Sequence, residues 1–166
     1  MAINAYIKME GITGGSDAAE HVGEIEMLSW SHSFTQTSSA TRSVSGSGTV
    51  EAATHNDFCY SKYISSATDD LLKHCWSGMQ IPSCTVTCYR ASGDTENKPV
   101  EYLKIIMNNV IVTSYNIAGG GGDLPIENIS LNYSYVQYVY TPQQRADGKG
   151  GAAQPVSHDL SSKKIA

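Results

Sequence analysis

Two stretches of this chain alternate apolar and polar residues at every second position, and each changes phase midway. In residues 24–35, Ile25 and Met27 alternate with Glu24 and Glu26. The phase then flips, so that Leu28, Trp30 and Phe34 share one face and Ser29, Ser31 and Ser33 the other, with His32 joining the apolar row. In residues 127–141, Ile129, Leu131, Tyr133 and Tyr135 keep one phase before Val136, Tyr138 and Tyr140 take the other. A period of two marks a strand, and a slip of one residue turns every later side chain to the opposite face. A β-bulge produces such a slip, and bulges bend sheets. Two slipping strands therefore predict curved β-structure rather than a flat sheet.

The rest of the chain supports a mainly β fold. Residues 5–9, 49–64, 81–90, 100–107, 110–118 and 156–160 read as further strands, with turns at 93–99 and at Asn108-Asn109 and a flexible break at 119–122. Ten Tyr against two Phe also favour strands. One helix is expected, over residues 67–77. Ser66 can cap it with Asp69 three residues on, Asp69 and Asp70 suit the positive end of its dipole, and Gly78 stops it. Ala67, Leu71, Leu72 and Cys75 form an apolar stripe, so the helix should lie on a sheet. The expected architecture is a small β-barrel or sandwich of two sheets with one packed α-helix, in a single domain spanning residues 1–166.

Composition excludes some functions. The formal net charge is −5 and the eleven Lys and Arg are scattered, which gives no basic face for phosphate, so no nucleic-acid partner is expected. No apolar run approaches the roughly 20 residues of a membrane span, and residues 1–10 lack the features of a cleavable signal. The expectation is a protein made in a cytoplasm, without membrane insertion, that does not use the general secretory route if it leaves.

The sequence offers several lookalikes of catalytic or metal sites, and each fails on spacing or context. Residues 119–122 are Gly-rich but lack the Lys-Ser/Thr of a phosphate loop. Ser157, His158 and Asp159 are adjacent on a strand, where their side chains diverge, so they cannot relay a proton as a triad does. Glu24 and Glu26 share a strand face and read as solvated. Asn128-Ile129-Ser130 and Asn132-Tyr133-Ser134 match glycosylation sequons, which have no meaning without a signal peptide. Cys84 and Cys88 lie four residues, about 13 Å, apart on a strand, too far for a disulfide. With Cys59 and Cys75 they read as reduced, mostly buried thiols. His21, His32, His55, His74 and His158 show no ligand spacing, and His32 reads as a hydrogen-bonded core or interface histidine. No catalytic residue, metal or cofactor is expected.

The order of motifs along almost the whole chain resembles the haemolysin-coregulated protein (Hcp) family, the inner-tube subunits of type VI secretion. The matching segments are Ala5-Tyr6-Ile7-Lys8, Glu24-Ile25-Glu26-Met27-Leu28-Ser29-Trp30-Ser31, residues 58–64 with Lys62-Tyr63, Val100-Glu101-Tyr102-Leu103, Glu127-Asn128, Leu131-Asn132-Tyr133 and Pro142-Gln143. The helix entry at Ser65-Ser66-Ala67-Thr68-Asp69 and His158 before Asp159-Leu160 depart from the family pattern.

The resemblance implies a homohexameric ring, with rings stacked into an exported tube whose lumen carries effectors. The tip spike protein and the sheath are the further partners it implies, and no appended effector domain is expected. Within that frame, Ser29, Ser31 and Ser33 are candidates to line the lumen, the other possibility being that they face outside solvent. The polar loop of residues 36–48 is the candidate ring-stacking element, with Gln36, Thr37, Ser38, Thr41, Arg42, Ser43, Ser45 and Ser47 as its polar contacts. A monomeric carbohydrate-binding β-sandwich, built on Tyr-rich strands and Asn-rich turns, is the alternative.

Overall fold

A computed structural model describes residues 4–37, 52–91, 98–144 and 150–166. The strands are β1 (Asn4–Met9), β2 (Ile25–Met27), β3 (Ser29–Ser31), β4 (Phe34–Thr35), β5 (Thr54–His55), β6 (Phe58–Tyr63), β7 (Ile81–Ala91), β8 (Pro99–Ala118), β9 (Ile126–Asn132), β10 (Tyr135–Tyr140), β11 (Gln154–Asp159) and β12 (Lys164–Ile165), with one helix, α1 (Thr68–Ser77). One sheet runs β12-β11-β10-β8-β7-β1-β2, and the second runs β3-β6-β9-β8. A separate two-stranded ribbon pairs β4 with β5. Among the described residues every strand pairing is antiparallel.

The two sheets share β8, whose 20 residues pair with β7 and β10 over their first half and with β9 over their second. Side chains from both sheets meet in one core, among them Ile7, Met27, Phe58, Val86, Ile105 and Leu131. Burying such a side chain contributes about 1.5–3 kcal/mol. Among the described residues the strands do not close into a continuous barrel, so the fold is the sandwich of the two expected forms.

Both phase flips are real, but their cause is not a bulge. The 24–35 run breaks at Leu28, where the chain leaves the first sheet as β2 and enters the second as β3. Leu28 sits exposed on this corner, its N–H donating to Ser61 O at 2.8 Å, while Trp30 turns inward and stacks on Phe58 at 5.7 Å. The 127–141 run likewise breaks at Tyr133-Ser134 and passes from the second sheet back to the first. A strand that changes sheet must reverse which face is inward.

Asn108-Asn109 is not a turn. β8 runs straight through it with Asn109 in the left-handed region (φ 52°), a conformation Asn tolerates better than other side chains. This kink coincides with the change of sheet. Asn109 Nδ2 donates to Ser134 Oγ at 2.9 Å and Ser134 N–H to Asn108 O at 3.1 Å, tying the two corners together.

The helix lies where expected, with Ala67 and Leu71 fully buried, and packs on β8. Its entry differs from expectation. Ala67 is the capping residue and gives no side-chain cap; Ser65, not Ser66, supplies the local bonds. Ser65 N–H donates to Thr68 Oγ1 (3.1 Å) and Ser65 Oγ accepts from Ala67 N–H (3.4 Å). Gly78 ends the helix at φ 68° as predicted. The glycines of 119–122 join β8 to β9 in a hairpin. β12 pairs outside β11 and forms that edge of the first sheet. The 93–97 part of the β7–β8 turn falls outside the described residues.

Candidate functional site

Ser29 and Ser31 point outward from β3, on the face opposite Trp30. Pairing sets their neighbours: Ser29 lies across from Ser61, the two hydroxyls 2.6 Å apart, and Ser31 across from Cys59. β9 continues the face with Asn128 and Ser130, and β8 completes it with Ser114 and Asn116. The result is a hydroxyl- and amide-lined face crossing four strands, with a depression of about 360 Å³ over it. Ser33 lies past the end of β3, where its Oγ accepts from Asn56 Nδ2 at 2.8 Å. A second depression, about 550 Å³, shares Ser31, Cys59 and Ser130 with the first and adds His32, Ser33 and Asp57. Asp57 is held by Thr113 Oγ1 and Asn132 Nδ2.

The sequence reading found one strand of this face and missed three. The signal was present in the two sequons. An Asn-x-Ser spacing is also a strand-period pair, placing Asn128 and Ser130 side by side on one polar face.

Of the candidate stacking residues, Gln36 and Thr37 are exposed just beyond the β4–β5 ribbon. Ser38, Thr41, Arg42, Ser43, Ser45 and Ser47 lie outside the described residues.

Beside the serine face runs a chain of five hydrogen-bonded rings. His32 Nδ1 meets the Tyr138 hydroxyl, and His32 Nε2 lies 2.7 Å from the Tyr133 hydroxyl. The same hydroxyl is 2.8 Å from His55 Nδ1, and His55 Nε2 is 2.7 Å from His158 Nδ1. His32 is thus hydrogen-bonded, as the core-or-interface reading of the sequence suggested, and half-buried. Burial pushes its imidazole down to about 4, with the His55 charge adding to the effect. Burial, then the neighbouring His158, lowers His55 as well. Burial holds the phenols of Tyr133 and Tyr138 well above the usual tyrosine range. His158 therefore engages His55 rather than Ser157, and Asp159 Oδ1 accepts from the N–H groups of Ser161 and Ser162.

A second polar cluster lies inside the sandwich. Lys62 and Glu127 are direct cross-strand partners on β6 and β9, almost wholly buried, and form an ion pair through Nζ and Oε2. Glu127 Oε1 accepts from Thr68 Oγ1 (2.7 Å) and from the Tyr115 hydroxyl. Lys62 Nζ also donates to Tyr63 O (3.2 Å) and Ser65 Oγ (3.1 Å). The cluster locks the helix entry to both β8 and β9. All four cysteines are free thiols. Cys84 and Cys88 are buried, and Cys59 and Cys75 half-buried.

Residues 6–140 match the protein family described as type VI secretion system effector, Hcp. Protein hcp1 of Pseudomonas aeruginosa is 34% identical over 152 residues, 91% of each chain. Among solved structures, Hcp1 from Salmonella typhimurium aligns over 100% of both chains at 26% identity with a TM-score of 0.78. A structure described as a type six secretion system protein aligns with a TM-score of 0.85 at 23% identity, covering 99% of this chain and 100% of its own, which speaks for the fold.

Proposed function

The chain belongs to the Hcp family and is a structural subunit of the type VI secretion tube, and from that premise we propose that six copies close into a ring, that the rings stack, and that the serine-lined face of the second sheet carries effectors in the lumen. The observation that supports the lumen assignment is the continuous run of small hydroxyl and amide groups from Ser29 and Ser31 across to Ser130 and Ser114. A surface that must pass varied cargo needs many weak polar contacts and no large adhesive anchor, and this face is built that way. A head-to-tail contact that closes by rotation accounts for the ring.

Residues 36–48 supply the contact between rings in this reading. The subunit is made in the cytoplasm and leaves with the tube, in the company of spike, sheath and effector. Its role is mechanical and carrying, with no catalytic step. Among the described residues no helix is long and apolar enough to cross a membrane.

Electron microscopy of the purified protein should show six-membered rings; strictly monomeric particles at high concentration would refute the assembly. Ser31→Tyr should leave rings intact and reduce effector retention at least several-fold in pull-downs. Retention equal to wild type would place this face outside the lumen.

A further inference from the structure

The five-ring chain is not used by the tube reading, and it holds the β4–β5 ribbon to the sandwich. The ribbon is two residues on each side, too short to be stable alone. Its footing is aromatic. Phe34 packs on His32 at 4.4 Å, on His55 at 4.9 Å and on Tyr138 at 5.9 Å between ring centres. His32 and His55 reach from the ribbon's base to Tyr138 on β10, Tyr133 at the β9–β10 corner and His158 on β11.

The chain has four links, and each takes one proton. With all five groups neutral, every link is satisfied. Tyr138 donates to His32 Nδ1, His32 Nε2–H to Tyr133, Tyr133 to His55 Nδ1, and His55 Nε2–H to His158 Nδ1; the reverse direction serves equally. One extra proton on His32 or His55 is tolerated, because a tyrosine hydroxyl can turn round. A second is not. With His55 and His158 both charged, two N–H groups oppose each other across 2.7 Å. With His32 and His55 both charged, two cations flank the one Tyr133 oxygen. Like charges this close disfavour each other strongly.

The groups facing the chain offer little compensation. A backbone bond at Asn56, and then Asp57, favour a charged His32 less strongly than burial and His55 oppose it, and the Asp57 oxygens are already bonded to Thr113 and Asn132. Asp159 beside His158 is bonded to the backbone of Ser161 and Ser162. Phe58 closes His32 from below, edge-on at 5.6 Å.

We propose that this chain is an acid-released latch: neutral, it pins the β4–β5 ribbon to the sandwich, and as it takes up a second proton the ribbon lets go while the sandwich stays folded. The direction follows from linkage. A histidine held neutral by its surroundings contributes fully above its ordinary titration range near 6.5. As pH falls toward the native value of about 4 for His32, the released state takes up protons more readily than the latched one, and release gains ground throughout that window. The ribbon is where residues 38–51 leave and return, so the latch extends the tube reading to the segment assigned to stacking, although the latch itself does not depend on that reading.

Hydrogen exchange tests it on the full-length wild-type protein at pH 7.5 and pH 4, as protection factors corrected for intrinsic rates. The ribbon amides, with Asn56 N–H that donates to Ser33 O, should lose at least tenfold of their protection at pH 4. β7 and β8 should keep theirs. A His32→Gln, His55→Gln double variant, whose amides hydrogen-bond but take no proton, should lose the pH dependence. In the wild type, the NMR titration midpoints of His32 and His55 should lie below 6.5 and coincide with release. Equal ribbon protection at both pH values, loosening only in step with β7 and β8, ordinary histidine midpoints, or a double variant as acid-sensitive as wild type would each overturn the latch. None of these readouts requires rings to form.

Discussion

Lys62→Met removes the ammonium that meets Glu127 inside the sandwich and changes little in volume. Lys62 is 1% exposed and Glu127 fully buried, so the carboxylate left behind has no water to replace its partner. Thr68 and Tyr115 still donate to Oε1, but Oε2 loses its counter-charge. Breaking a buried pair from one side costs about 3–5 kcal/mol, much of it the penalty of the stranded charge. At about 2–4 °C per kcal/mol for a domain of this size, 4 kcal/mol lowers the midpoint of thermal unfolding by about 8–16 °C. Adding Glu127→Gln removes that charge and keeps an oxygen for Thr68 and Tyr115. The Lys62→Met, Glu127→Gln double variant should therefore recover about 2 kcal/mol relative to Lys62→Met alone, a clear departure from additivity. Equilibrium urea unfolding at pH 7 and one fixed protomer concentration measures all three, since assembly adds to apparent stability. A single variant losing less than about 1 kcal/mol, or a double variant no better than the single, would refute the claim that uncompensated charge carries the penalty.

Asn109→Val should cost about 2 kcal/mol by urea unfolding, from a branched side chain at positive φ, whereas Asn109→Gly should cost less than half of that. Gly14→Ala should destabilise by at least about 2 kcal/mol in the same assay, because its Cβ would fall inside contact distance of the Glu24 carbonyl. Brief iodoacetamide treatment at pH 8, read by mass spectrometry, should label Cys59 and Cys75 well before Cys84, whose thiol burial pushes up to about 12 and so leaves almost no thiolate.

The strands and the inward phase were legible because alternation is local. Which strand pairs with which was not. A phase flip says that the buried face changes sides, and the same flip arises from a bulge within one sheet or a passage between two. Asn108-Asn109 misled for a related reason: a tolerance for the left-handed region marks a turn and an in-strand kink alike. The Lys62–Glu127 pair was half legible. Lys62 keeps phase with Phe58 and Tyr60, and Glu127 with Ile129 and Leu131, so two opposite charges occupy inward positions on different strands. Only the β6–β9 register makes them neighbours. His55 and His158 are 103 residues apart, and no spacing rule connects them; their meeting is a product of topology.

The long strand β8 has a mechanical meaning. It is an unbroken covalent beam through both layers, gripped on both sides by β7 and β10 over its first half and by β9 over its second. Antiparallel hydrogen bonds lie perpendicular to the strand, so tension along β8 loads whole ladders in shear together rather than unzipping them one bond at a time. In the stacked tube proposed above, an axial load passes from subunit to subunit. A protomer whose two layers hang on one such beam takes up that load as a unit, without one layer sliding over the other.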